Sequence, residues 1–298
     1  MNAVDKVDLP FDLFRRGKVR DVYEIDGRLL IVSTDRISAF DYILPSLIPG
    51  KGQVLNKISS YWFNFTKEIV PNHVICDEPE NLDEFSQYRD ILEKRSVLTK
   101  KLDPLPCEAI VRGYIVGSGW KSYQKTGEIC GIPLQEGLQF AQKFPQPLFT
   151  PSTKAEIGDH DENISYQELV NLMGEEDAAS VRDLSISLYK YVSEYAAKKG
   201  IILADTKFEF GKDEQGNIVL MDEIFTPDSS RFWKKDEYEQ AIANGTEPPA
   251  FDKQFVRNFL LNSDWDRKST PPQLPAEVVN QTVEKYKEIY SILTGEAI

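Results

Sequence analysis

The sequence predicts a chain of mixed strands and helices, on three observations. Asp26-Gly27, a strong tight-turn signal, joins two strand-like runs near the N-terminus. Apolar residues then recur at helical spacing from Val54 to Ile69. A second hairpin pattern, ADTKFEFGKDEQGNIVLMDEIF, follows a long helical stretch in the second half.

The elements follow in order. GKVRDVYEI and LLIVSTD are the strands on either side of Asp26-Gly27. In KGQVLNKISSYWFNFTKEIV, Val54, Ile58, Tyr61, Phe65 and Ile69 lie on one face of a helix. RSVLTKKL reads as a strand. LDPLP, Leu102 to Pro106, is a short stiff connection and the candidate domain boundary, dividing 1–103 from 104–298. CEAIVRGYIV reads as a strand running into GSGWKSYQKTG, a helix ending at Gly127. Residues 131 to 164, rich in Pro, Gly and charge, read as irregular. Residues 165 to 199 read as helical, with Ser165 and Glu168 forming a capping-box signature. IILADTKFEFG and NIVLMDEIF read as paired strands, and the tail from about 274 as a terminal helix.

Composition narrows the function. Hydrophobic residues make up 41% and charged residues 28%, which suits a globular fold rather than a disordered chain. No apolar run approaches the roughly 20 residues that span a bilayer, and the N-terminus lacks a secretion pattern. Cys76, Cys107 and Cys130 are odd in number without CxxC spacing, so idle thiols in a reducing cytoplasm are expected. Two histidines are too few for a histidine-rich metal site. The net charge of -13 argues against a general affinity for nucleic acid, so anionic substrates would need locally concentrated Lys and Arg.

The carboxylate hairpin is the most informative stretch. Strand alternation puts Asp205, Lys207 and Glu209 on one face and Thr206, Phe208 and Phe210 on the other. With the loop at Glu214 to Asn217, Asp222 is expected opposite Glu209, and Ile224 opposite Lys207. Facing carboxylates repel unless a cation lies between them, and a hard cation such as magnesium fits. A solvated face with a Lys–Glu pair is the plain alternative. RRGKVRDVY places Gly17 among basic residues at a turn where backbone N–H groups could approach phosphates, or which is an ordinary basic turn. VRGYIVGSGWKSY sets Arg112 in a strand and Ser118 at a glycine-rich helix start, either an anion site or a turn around Trp120. TPDSSRFW carries Arg231 just after the carboxylate strand. STDRISAFD and TKAEIGDHDENIS add Ser38, Asp41, Lys154, His160, Asp161 and Glu162, as binding residues or as surface charge.

Taken together, GKVRDVYE, STDRISAFD, IPGKGQVLNKIS, VRGYIVGSGWKSY, TKAEIGDHDENIS, ADTKFEFG and DEIFTPDSSRFW stand in the order expected of the SAICAR synthetase family. The resemblance runs from about residue 14 to residue 260 and includes FDKQFVRNFL. It implies a fold of two α+β domains, the smaller and β-rich N-terminal one similar to a kinase lobe, with ATP in the cleft. It implies a purine-biosynthetic ligase that joins carboxyaminoimidazole ribonucleotide to L-aspartate through an acyl phosphate, using ATP and Mg2+. By resemblance, Gly17, Lys18 and Arg20 lie over the ATP phosphates, and Glu209 and Asp222 hold the metal. Arg112, Ser118 and Arg231 hold the ribonucleotide, chiefly its phosphate, and Asp205 and Lys207 stand at the reacting carboxylate. Ser38, Asp41, His160, Asp161 and Glu162 go to the substrate side. Another ATP-dependent ligase, a small-molecule kinase and a silent nucleotide-binding regulator remain the alternatives. The residues do not give the oligomeric state, and a monomer is the starting assumption.

Overall fold

The computed structural model describes residues 3–40, 42–154, 162–251 and 253–298. Its elements, in chain order, are β1 (Asp12–Arg16), β2 (Arg20–Ile25), β3 (Arg28–Ser33), β4 (Arg36–Ala39), β5 (Tyr42–Leu47), α1 (Lys51–Phe65), β6 (Val74–Cys76), α2 (Arg89–Leu92), β7 (Ser96–Lys100), β8 (Asp103–Pro104), β9 (Cys107–Tyr114), α3 (Gly117–Thr126), β10 (Glu128–Ile129), β11 (Ile132–Pro133), β12 (Lys143–Phe149), β13 (Ser152–Thr153), α4 (Tyr166–Met173), α5 (Glu175–Lys198), β14 (Ile201–Lys212), β15 (Ile218–Met221), β16 (Ser230–Lys234), α6 (Lys235–Asn244), α7 (Gln254–Leu261) and α8 (Ala276–Thr294). The fold is α+β.

One antiparallel sheet has the order β1-β2-β3-β7-β6. The β2–β3 hairpin closes at Ile25–Arg28, with Asp26 and Gly27 at φ 49 and 76. Two successive positive φ values match the right-handed twist of the strands, which is why Asp-Gly suits this turn. The second sheet runs β12-β9-β14-β15, with β8 and β16 also on β14 and β13 on β9. β14 is its axis. Thr206, Phe208 and Phe210 are buried on one face, while Asp205, Lys207 and Glu209 are half-buried on the other, as alternation requires.

The largest core fills the space among the second sheet, α1, α5 and α8 and includes Trp62, Phe208, Phe210, Phe225 and Tyr286. Helix α1 also packs against β3 and β7 of the first sheet. The sheets meet along a backbone seam. Leu220 N–H donates to Pro71 O at 2.9 Å, His73 N–H to Leu220 O at 3.0 Å and Lys100 N–H to His73 O at 2.8 Å.

Three expectations change. Glu209 pairs with Met221, not Asp222, so the β14–β15 hairpin is shifted by one residue. The ladder ends at Met221, and Ile224 does not face Lys207, whose ladder partner is Ile110. Residues 131 to 164 hold strand β12, hidden by Pro145 and Pro147. It is an edge strand of the sheet, where a missing N–H is tolerated. The helical stretch from 165 is two helices broken at Gly174, φ 88, while the Ser165–Glu168 capping box is present.

Gly52, in the first turn of α1, marks where the helix presses on β3. A Cβ there would lie 2.3 Å from Ser33 O and 2.8 Å from Arg95 Nη1. Gly52→Ala is therefore expected to lower stability by about 3 kcal/mol, read from the denaturant midpoint. An unchanged midpoint would mean that α1 can move off the strand. Among the described residues, no helix is long and apolar enough to cross a membrane.

Candidate active site

β14 lays out the site along one face. At its first polar position, Asp205 stands opposite Arg112 of β9 on one side and Arg231 of β16 on the other. Arg112 Nη1 donates to Asp205 Oδ2 at 2.9 Å, and Arg231 Nη1 is 3.7 Å from the same oxygen. Arg112 is buried; its Nη2 donates to Ser118 Oγ at 2.9 Å and its Nε to Thr150 Oγ1 at 3.1 Å. Burial pulls its pKa down, against the attraction of Asp205. Two guanidiniums on one carboxylate leave a net positive end. They line a cavity of about 830 Å3 together with Ser118, Lys207 and Ser230. Gly117, with φ 57, opens α3 beside this cavity, and among the described residues no side chain caps that helix start. Its first N–H groups are the kind of donors an anion takes.

Two residues along β14, Lys207 forms a short ion pair with Glu108, whose Oε2 also accepts from Ser152 Oγ at 3.3 Å. Burial opposes the Lys207 charge, but Glu108 and Glu209 outweigh it and hold the ammonium above its usual pKa.

Two residues further, Glu209 accepts from Lys154 Nζ at 2.6 Å. Asp222 comes to it by a route that strand alternation does not foresee. It follows the end of β15 with φ 70, a left-handed turn that Asp tolerates better than most residues. Arg20 Nη2 donates to Asp222 Oδ2 at 2.7 Å and lies 3.6 Å from Glu223. Burial raises the Glu209 carboxyl first, and the Asp222 charge raises it further. Burial also disfavours the Asp222 charge, but Arg20 overrides it and holds this carboxyl low. Arg20, by the same pairing and despite its own burial, is held above its usual value. Two crowded carboxylates with oxygen-only donors suit a hard cation.

Val19 and Arg20, at the turn after β1, face a smaller cavity shared with Asn56 and Ser59 of α1 and with Asp222 and Glu223. The structure therefore brings the Gly17 turn to the acidic pair, and the acidic pair to Lys207, Asp205, Arg112, Ser118 and Arg231. Ser38 lies in β4 opposite Ile43 and lines neither cavity. Glu162 is exposed, its N–H on Thr153 Oγ1 at 3.1 Å. Asp41, His160 and Asp161 lie outside the described residues.

Sequence reasoning passed over Glu108, although it and Arg112 are the two charged residues in a strand of otherwise mostly apolar ones. It noted Lys154 as loop charge without assigning it. It also missed Asp228, whose Oδ2 lies 2.9 Å from Lys51 Nζ and 3.0 Å from Lys253 Nζ, off the line of a hydrogen bond. Tyr286 of α8 donates to its Oδ1 at 2.8 Å.

The SAICAR synthetase family model matches residues 13–272. The phosphoribosylaminoimidazole-succinocarboxamide synthase of Thermodesulfovibrio yellowstonii is 55% identical over 287 residues, 95% of this chain and 95% of that protein. The solved SAICAR-synthase of Saccharomyces cerevisiae, complexed with SAICAR, superposes with a TM-score of 0.88 at 43% identity, covering 99% of each chain. A SAICAR synthetase solved in complex with ADP superposes with a TM-score of 0.70 at 26% identity, covering 95% of this chain and 98% of that one. With its length matched nearly throughout, the chain belongs to the SAICAR synthetase family.

Proposed function

We propose that this chain condenses carboxyaminoimidazole ribonucleotide with L-aspartate at the expense of ATP, forming SAICAR, ADP and phosphate in purine biosynthesis. The observation that carries the reading is the order of charge along β14. Same-face residues are about 6.6 Å apart on a strand. Glu209, Lys207 and Asp205 thus mark an acidic end, a cationic middle and a guanidinium end in one line.

Each end receives its role in that order. The turn at Gly17, Lys18 and Arg20 covers the ATP phosphates. Glu209 and Asp222 hold Mg2+, which when bound neutralises phosphate charge. Arg112, Ser118 and Arg231 grip the ribonucleotide phosphate, a bidentate task that suits guanidinium. Lys207 and Asp205 orient the ribonucleotide carboxylate between the ends. One of its oxygens bonds to the γ-phosphorus as ADP leaves, giving an acyl phosphate. The aspartate amine then bonds to the acyl carbon, phosphate departs, and the amine loses its proton. Lys207, held fully charged by Glu108, offsets the negative charge gathered at the transfer. Residues 1–103 and 104–298 form the two parts that enclose the nucleotide, and a cytoplasmic location belongs to the same reading.

ADP release by the purified protein with magnesium, ATP and the ribonucleotide, with and without L-aspartate, tests this. Release that requires both substrates, with SAICAR as product, supports it. Release without aspartate and with a phosphorylated product would instead indicate a kinase.

A pH dependence follows from Glu209. Its carboxyl sits above the ordinary value, chiefly through burial and then through Asp222, so it takes up a proton earlier than an exposed glutamate as pH falls. Magnesium affinity of the nucleotide-free protein is expected to decline on the acid side beginning above the ordinary Glu pKa of about 4.3. Calorimetric titrations across pH check it, and affinity that stays flat down to that value would count against Glu209 as a ligand.

A further inference from the structure

The turn at Gly17 closes on one bond of its own, Gly17 N–H to Arg20 O at 2.8 Å, and a buried bracket formed by Thr34 and Arg36 holds its carbonyls. Arg36 Nη2 donates to Gly17 O at 3.1 Å and Arg36 Nε to Lys18 O at 3.1 Å. Thr34 takes the next carbonyl twice, with its N–H at 3.0 Å and its Oγ1 at 2.8 Å from Val19 O. Three successive carbonyls are thus drawn toward one side. A trans peptide unit points its C=O and the following N–H in opposite directions. Holding those carbonyls therefore turns the N–H groups of Lys18, Val19 and Arg20 the other way. Successive N–H groups on one side are what a phosphate takes.

The bracket is itself anchored. Thr34 and Arg36 are buried. Arg36 also donates to Asp21 Oδ1 at 2.7 Å and, by a short contact, to Asp5 O. Between them, Asp35 accepts from Gly52 N–H of α1 at 2.9 Å and from Val4 N–H at 2.8 Å, and lies 3.3 Å from Arg95. The segment from Thr34 to Arg36 thus ties the start of α1 to the back of the turn.

We infer that Arg36, assisted by Thr34, is a positioning residue for nucleotide binding: it fixes the Gly17–Val19 turn by its carbonyls so that the turn's amides are set for the phosphates. The inference rests on the reading that this turn covers the ATP phosphates. Arg36 lines neither cavity and acts through the turn. Lysine at this position has one ammonium for several acceptors and restores only part of the bracket, and glutamine restores less.

The test is the dissociation constant of ADP with magnesium, measured by calorimetry on the full chain, beside the KM for each substrate. Arg36→Gln is expected to weaken ADP by about tenfold or more, with Arg36→Lys between it and the unmodified chain. The KM for ATP rises in parallel, while the KM for the ribonucleotide stays within about twofold, since Arg112 and Arg231 lie on the other sheet. Lys18→Ala serves as a reference. If it weakens ADP while a folded Arg36→Gln binds ADP normally, the bracket has no positioning role. If neither variant changes ADP binding, the turn is not a phosphate loop and the reading beneath the inference fails too. Equal rises in both KM values together with a lowered melting temperature would mean a purely structural arginine. Should Arg36→Gln fail to fold, Thr34→Val, which removes the hydroxyl bond to Val19 O and the 3.4 Å acceptor of Arg36 N–H, carries the test. The expectation is a rise of about threefold in the ADP dissociation constant, and no rise overturns the inference.

Discussion

Asp222→Asn is expected to abolish turnover, by about 10³-fold or more, in a protein that still folds. Asparagine is the informative replacement because the residue sits at φ 70, and Asn accepts the left-handed region about as well as Asp does. The turn after β15 therefore survives, and only the charge goes. Losing it leaves Arg20 without its closest carboxylate, with Glu223 still 3.6 Å away. It also removes one of two anionic ligands from the proposed magnesium site. Melting temperature, magnesium titration and turnover separate the effects. A folded variant with normal activity would refute the metal assignment.

Arg112→Ala is expected to raise the KM for the ribonucleotide by about 100-fold while leaving that for ATP within about twofold. The guanidinium makes ordered contacts to Asp205, Ser118 and Thr150, and its Nη1 also reaches Val116 O at 3.4 Å. Its removal uncouples the helix start at Gly117 from β14 and leaves Asp205 to Arg231 alone. Breaking a buried pair from one side costs about 3 kcal/mol, so the variant is also expected to melt earlier. Steady-state kinetics well below that temperature isolates the binding effect. Equal rises for both substrates would remove the phosphate role.

Local chemistry was legible wherever one residue type settles one backbone problem. Asp26-Gly27 marked a turn because few other pairs accept two positive φ values. Ser165 and Glu168 marked a helix start because each satisfies the other's backbone N–H. The polar face of β14 was legible because alternation needs no long-range information. The pairing of Glu209 with Asp222 was inferred from a register that is off by one residue. The two charges still act on one another, because Asp222 leaves the ladder through a left-handed turn that no periodicity encodes. β12 was hidden by prolines that only an edge position allows, and edge position is a property of the assembled sheet. Glu108 was passed over because its partner, Lys207, lies 99 residues away. The boundary at LDPLP was read from its stiff connection, but the α+β fold of the two parts came from family resemblance, since periodicity carries no information about which sheet a strand joins.

The seam between the sheets sets the mechanics of the molecule. Because Pro71, Leu220, His73 and Lys100 are stitched by consecutive backbone bonds, the sheets cannot slide past one another without breaking several at once. Helix α1 closes the same join from a second side, since it packs on β3 and β7 while its apolar face enters the core beneath the second sheet. Load placed on either sheet is therefore carried into the other through both backbone and side chains.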